Sequence, residues 1–133
     1  MIWTDLNRVI SVVEGFENTD FWKNTDLLTA QYDHQKMTFS EFTTIYDRDA
    51  AVASLPPLLL ALWLDKHGLW HDAHDLVDDK SSSDACWIHA YLHRKEGDQW
   101  NANYWYNRAN RSMPDQSLDE EWTDLVRHML PKH

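Results

Sequence analysis

The sequence lacks the features that mark several common classes of protein. Among its 133 residues there is one cysteine, Cys86, so no internal disulfide can form, and the three glycines are too few for a glycine-rich phosphate loop. The longest apolar run, residues 55–64, has ten residues, whereas a membrane span needs about 20. No N-terminal segment combines a basic head, an apolar run and a cleavage site. We therefore expect a soluble, cytoplasmic protein in which Cys86 is a small buried hydrophobe.

Positive charge is also scarce. Twelve Lys and Arg residues against 22 Asp and Glu residues give a formal net charge of −10 at pH 7. Such a field repels phosphate backbones and anionic lipid headgroups, so we expect neither nucleic acid nor a membrane as a partner. Aromatic residues, by contrast, are abundant. Eight tryptophans exceed the need of a core this size, which leaves aromatic surface for packing helices or contacting another protein.

The first third of the chain, residues 1–53, has apolar residues at helical spacing in three segments. These predict helices over residues 4–14, 21–32 and 39 to about 50. Thr38 and Glu41 form a capping box at the start of the third helix. Residues 37–46 are also rich in strand-forming residues, so a strand is the alternative there.

The rest of the chain predicts two helical hairpins over residues 54–114 and a capping helix within residues 115–133. Gly68 and Gly97 mark the turn of each hairpin, and Ser117 with Glu120 forms a capping box before the last helix, residues 118–130. No strand is needed anywhere. We therefore predict an all-α fold and, at this length, a single domain spanning residues 1–133.

Two stretches of the chain are similar to each other at a constant offset of 29 residues. Ala61, Gly68 and Ala73 of the first copy align with Ala90, Gly97 and Ala102 of the second. Small residues let two helices approach closely, and glycine relieves the tight turn between them. The second copy resembles a tetratricopeptide repeat, whose order of small, glycine, aromatic and proline residues it follows as far as Pro114. The resemblance covers residues 55–114, its offset is five short of the usual 34, and it implies degenerate stacked hairpins.

A second resemblance covers residues 87–109. The segment is similar to an uncharacterised group of small proteins with the signature WIHAYLHRKEGD followed by NANYWYNRA, which an alanine–histidine pair, here Ala73 and His74, precedes. This resemblance implies no activity. It implies that certain polar residues belong together: His74, His89, His93, Glu96, Asp98, Asn101 and Tyr104.

The hairpin resemblance leads to our first hypothesis, a non-enzymatic module that binds another protein or peptide. Stacked tetratricopeptide hairpins present the residues of their first helices on a concave face. That groove would consist of Leu58, Leu62, Asp65, Trp87, Tyr91 and Arg94. It is aromatic and aliphatic, which suits an extended or helical segment of a partner. Residues 100–106 carry four further aromatics that cannot share one helix face, so Trp100 or Trp105 is a candidate contact residue.

The histidines lead to a second hypothesis, a metal-binding or small-ligand-binding protein. His89 and His93 are four residues apart on one predicted helix, and His71 and His74 are three apart on the preceding one. An antiparallel hairpin places these two pairs at matching heights, where imidazoles could bind zinc or another first-row metal. The alternative is that the histidines form hydrogen bonds within the core or with neighbouring aspartates.

The same region also permits an enzymatic interpretation. His93 and Glu96 could act as acid and base beside Asn101 and Tyr104. However, the sequence has no HExxH motif, no paired cysteines and no serine in the setting of a nucleophile. We therefore expect no cofactor, and the sequence favours a protein that is not an enzyme.

Overall fold

The structure, a computed structural model, describes residues 37–45 and 50–131, and this part of the chain is helical, as the all-α prediction requires. The predicted helices over residues 4–14 and 21–32 lie outside it. Within the described residues there is no strand, and no helix is long and apolar enough to cross a membrane. The elements are α1 (Phe39–Thr43), a 3₁₀ helix (Ala50–Ser54), α2 (Pro57–Lys66), α3 (Trp70–Val77), α4 (Ser83–Glu96), α5 (Gln99–Arg108) and α6 (Leu118–Met129).

The chain divides into two compact units, and α1 with the 3₁₀ helix belongs to the first, Met1–Pro56 with Leu130–His133. The predicted capping box is present: Glu41 N–H donates to Thr38 Oγ1, and Thr38 N–H donates to Glu41 Oε1. The helix is shorter than the predicted residues 39 to 50, because it ends at Thr43. The hydroxyls of Thr43 and Thr44 donate to carbonyls three residues back, which competes with continued helical hydrogen bonding.

The second unit, Pro57–Met129, contains α2 to α6. Its first two pairs of helices form hairpins, α2 with α3 and α4 with α5, and in each the turn has the predicted glycine. Gly68 and Gly97 have φ values of 80° and 92°, a left-handed conformation that glycine adopts without steric cost. The side chain of Ser82 caps α4 by accepting from Ala85 N–H. Whether the two units form the predicted single domain stays a prediction.

The helices of the second unit pack on small side chains and on α6. Ala61, Ala73, Ala90 and Ala102, the four alanines of the 29-residue offset, are all fully buried. The predicted capping box of α6 is present between Ser117 and Glu120. Helix α6 packs against both α2 and α4, and its Trp122 indole donates to the carbonyl of Leu62 at 3.0 Å. Cys86 is buried, as predicted.

Candidate metal centre

Three imidazoles converge between α3 and α4. His89 and His93 lie one helical turn apart on α4 and their rings stack with centroids 5.0 Å apart, while His74 of α3 meets them edge-on at 4.7 and 5.2 Å. One nitrogen of each ring can be chosen so that all three lie within 4.8 Å of one another. Tetrahedral zinc with Zn–N bonds of about 2.1 Å needs nitrogens about 3.4 Å apart. Side-chain shifts of roughly an ångström would therefore bring the three nitrogens to the spacing that a zinc ion requires.

The protonation state of this cluster suits metal binding. Burial lowers the pKa of His74, and burial together with His74 and His93 lowers the pKa of His89 to about 3. The rings of His74 and His89 are therefore neutral at pH 7. A neutral imidazole has the free lone pair that a metal ion requires.

His89 has an additional feature that the other two lack. Its side chain is 1 % exposed, and its Nδ1 has no hydrogen-bond partner among the residues that the structure describes. A buried polar atom without a partner costs roughly 1–3 kcal/mol, so native structures leave few of them. This cost points to a ligand that the described residues do not supply.

Carboxylates surround the three rings without entering the cluster. Glu96 Oε2 lies 2.6 Å from His93 Nδ1, and Asp78 Oδ1 lies 4.0 Å from His74 Nε2. A carboxylate on one ring nitrogen orients the other toward a metal, the arrangement found around most metal-binding histidines. Donor atoms of His93, Glu96 and Asp98 form a second set within 4.8 Å. Asp98 itself caps α5 through Asn101.

Two tryptophans form the walls of the site. Trp105 of α5 stacks on His89 with centroids 3.9 Å apart, and Trp70 of α3 stacks on His74 at 5.0 Å. The Trp70 indole donates to the carbonyl of Leu92, which fixes its ring. The walls hold the imidazole planes in place. Trp70 was absent from the predicted site, although its position four residues before His74 on one helix face indicates the contact.

The structure brings together only part of the predicted histidine and polar site. His74, His89, His93 and Glu96 are in contact, but His71 is exposed and meets only the edge of Trp70 among the ring contacts of the described residues. Asn101 is occupied with Asp98, and Tyr104 lies on the surface beside Arg108.

The predicted interaction groove is largely interior, which corrects our expectation of an exposed surface. Leu62, Asp65, Trp87 and Tyr91 are buried, while Leu58 and Arg94 are half-buried. The reason is helix α6, which packs back on α2 and α4 where the groove would open. These residues therefore do not form an exposed face in the described structure.

The polar members of that set are held by partners from other helices. Glu121 of α6 is fully buried and accepts from the Trp87 indole at 3.0 Å, the Tyr106 hydroxyl at 2.6 Å and the Arg94 guanidinium at 2.8 Å. Asp65 likewise accepts from the Tyr91 hydroxyl and the Lys95 ammonium, both at 3.0 Å. Burial and these carboxylates raise the pKa of both tyrosines. No periodic pattern of residues indicates Glu121, because its role depends on contacts with residues 15 to 34 positions away in the chain.

Neither resemblance found in the sequence is tested by similarity to known proteins. The tetratricopeptide-like pattern and the WIHAYLHRKEGD signature therefore stay predictions. The geometry of the three imidazoles is what bears on function. No protein-family model, no curated protein and no solved structure matches this chain.

Proposed function

We propose that this protein binds a divalent first-row metal ion, with Zn²⁺ as the first candidate, through His74, His89 and His93. The observation that carries the proposal is that three imidazole nitrogens lie within 4.8 Å of one another in a largely buried site. Histidine nitrogen is a preferred ligand of zinc, and sites with three histidines are known among its catalytic centres. The acidic side chains around the cluster favour a cation further.

Each of the three histidines has a distinct role in the proposed site. The His89 ring is buried and stacked on Trp105. The carboxylate of Glu96 orients the His93 ring. His74, on the neighbouring helix, completes the set and joins α3 to α4 through the ion. Binding would therefore stabilise the contact between the two hairpins.

The test is zinc binding by the untagged full chain, measured by elemental analysis and by competition with a chromophoric chelator. We expect one equivalent of Zn²⁺, and we expect His74→Ala and His89→Ala to weaken binding at least tenfold. His71→Ala is the matched control, since this histidine lies one turn away on the same helix and is exposed. Equal affinity of the His71→Ala and His89→Ala proteins, or no stoichiometric zinc, would contradict the proposal.

A second candidate function is binding of another protein or peptide, and one observation favours it. Trp100 is 76 % exposed and Tyr104 44 % exposed, and their rings are near-parallel on one face of α5 with centroids 6.3 Å apart. Arg108 follows one turn on, over the Tyr104 ring. Aromatic and arginine side chains are the residues enriched at binding hot spots. On this proposal the contact surface is the Trp100–Tyr104 face of α5, in place of the buried Trp87 and Tyr91.

Comparison of captured proteins tests this second candidate. We expect proteins that bind the wild-type chain to be lost with the double variant Trp100→Ser, Tyr104→Ser and retained with His71→Ala. An identical set of proteins from all three chains would remove the Trp100–Tyr104 face from consideration.

We also propose that the two hairpins, α2–α3 and α4–α5, are degenerate tetratricopeptide-like repeats. The full burial of their four equivalent alanines and the shared left-handed glycines support this proposal. If the two copies are equivalent, Ala61→Leu and Ala90→Leu should each lower the free energy of unfolding by about 1–3 kcal/mol, because each overpacks a helix contact. Strongly unequal losses would count against equivalence.

A further inference from the structure

We infer that a metal ion held by His74, His89 and His93 keeps one coordination position open to solvent, and that this position takes a small exchangeable donor, either water or a small monoanion. The inference rests on the proposed metal binding and goes beyond it. It distinguishes a site that exchanges ligands from a closed site whose only role is to hold helices together. Zinc sites of the closed kind have four protein ligands, whereas sites that exchange ligands have three.

The cluster offers a metal ion three protein donors. Only three side chains of the described residues place ligand atoms together in this cluster, and all three are histidines. The nearest carboxylate, Glu96, is hydrogen-bonded to the far nitrogen of His93 at 2.6 Å and so acts behind a ligand. Asp98 accepts two hydrogen bonds from Asn101, at 3.1 and 2.6 Å. Both carboxylates are thus engaged with groups outside the three-histidine cluster or behind it.

The two sides of the cluster differ in their access to solvent. The cluster is closed on the side of His89, where Trp105 covers the ring at a centroid distance of 3.9 Å. It is more open on the side of α3, where 20 % of the His74 side chain is exposed. Solvent therefore reaches the cluster from the His74 side. The Trp70 ring, stacked on His74 and edge-on to His93, narrows this approach and favours a small donor over a large one.

The charge of the bound ion also bears on the open position. Three neutral imidazoles leave the double positive charge of the ion uncompensated by its own ligands. In a partly buried site the attraction for an anion is stronger than in bulk water, because the surrounding dielectric constant is lower. The open position can therefore take a small monoanion as well as water.

The experiment uses the full chain loaded with one equivalent of Co²⁺, whose visible bands report on the number and type of its ligands, and titrates it with azide. We expect a saturable change of these bands in the wild-type protein. Glu96→Gln should bind cobalt about 10–100-fold more weakly, since it perturbs His93, and should still respond to azide. Asp78→Asn should also still respond.

The outcomes separate the inference from the function on which it rests. If the cobalt bands form but azide leaves them unchanged, the position is closed and the inference is wrong, while metal binding stands. If azide acts only on Glu96→Gln or only on Asp78→Asn, that carboxylate fills the position in the wild-type protein, and the inference is again wrong. If no cobalt bands form at one equivalent, the proposed metal binding itself fails.

Discussion

Two buried polar clusters lie in the helical unit Pro57–Met129, and they differ in how fully their central residues are hydrogen-bonded. Glu121 has no exposed surface and accepts from Trp87, Arg94 and Tyr106. His89 is equally buried, yet its Nδ1 has no partner within the described residues, and its neighbours are two further histidines. Both clusters include residues of α4. The Glu121 cluster links α4 to α6, and the histidine cluster links α4 to α3.

The difference separates a polar group that stabilises the fold from one that is suited to a ligand. A buried carboxylate that accepts from three donors has its hydrogen-bonding capacity filled. Its removal leaves those donors without an acceptor. The three imidazoles are not satisfied in this way, since the buried Nδ1 of His89 has no hydrogen-bond partner within the described residues. Their natural common partner is a cation. The four predictions below test this contrast.

The largest expected effect is at Glu121. Glu121→Ala should lower the free energy of unfolding by about 3–5 kcal/mol, because it leaves the Arg94 guanidinium half-buried and without its carboxylate. Urea unfolding followed by tryptophan fluorescence measures this loss. Asp119→Ala, at an exposed position of the same helical turn, is the control and should cost at most about 1 kcal/mol. Similar losses in the two variants would show that the Glu121 cluster is not a stabilising network.

Metal addition should act on the other cluster. Free Zn²⁺ at about 100 times its dissociation constant should raise the free energy of unfolding by about 2.7 kcal/mol, since the ion binds the folded state. The same unfolding experiment, with zinc and then with excess chelator, measures the gain and its reversal. In His89→Phe the gain should vanish, whereas in His71→Ala it should persist. A gain of equal size in His89→Phe would place the bound zinc elsewhere.

Acid should destabilise the metal-free protein through His89. Its pKa is lowered from 6.5 to about 3 in the folded state, so the unfolded chain binds the extra proton, and the stability present above pH 6.5 is lost as pH falls. The expected loss is about 2 kcal/mol between about pH 7.5 and pH 5, at a limiting slope of about 1.4 kcal/mol per pH unit. His74, whose pKa is also lowered, adds to it.

Unfolding curves of the chelator-treated protein across this range measure the effect. His89→Phe should flatten the slope, while His71→Gln should leave it unchanged. The range stays above the region where carboxylates take up protons, so a slope that His89→Phe fails to reduce would contradict the assignment to this histidine.

The smallest effect is expected from His89→Phe in the metal-free protein. Phenylalanine keeps the stacking on Trp105 and removes a polar atom that has no partner in the described residues, so the free energy of unfolding should stay the same or rise by about 1 kcal/mol. Tyr106→Phe is the matched removal from the other cluster. It deletes a 2.6 Å hydrogen bond to Glu121 and should cost about 1.5–3 kcal/mol. Equal costs in the two variants would erase the contrast between the clusters.

Much of the fold could be predicted because its signals are local. The capping boxes at Thr38 and Ser117 each act within four residues, and the turns at Gly68 and Gly97 need only a residue that tolerates positive φ. The length of α1 could not be predicted in this way. Its threonines are poor helix formers, and their hydroxyls bond to the preceding turn, where the helix ends.

The candidate site was predictable in one respect and not in another. Equal distance of His74 and His89 from the turn between α3 and α4 indicated equal height in the hairpin, and their rings lie 4.7 Å apart. The height of a residue along the hairpin depends on its sequence distance from the turn. The direction of its side chain depends on how the helix is rotated about its own axis. His71 shares the height without facing the cluster, because the packing of α3 on α4 fixes that rotation.

By itself the sequence determined that the described part of this protein is helical, and it indicated the capping boxes at Thr38 and Ser117 and the turns at Gly68 and Gly97. Only the tertiary structure decided which side of α4 is covered. Helix α6 packs on α2 and α4 and brings Glu121 to Trp87 across 34 residues, and this turns an expected groove into core. Helix caps and turns depend on neighbours in the chain. Burial depends on which distant helix arrives, and no short stretch of sequence contains that information.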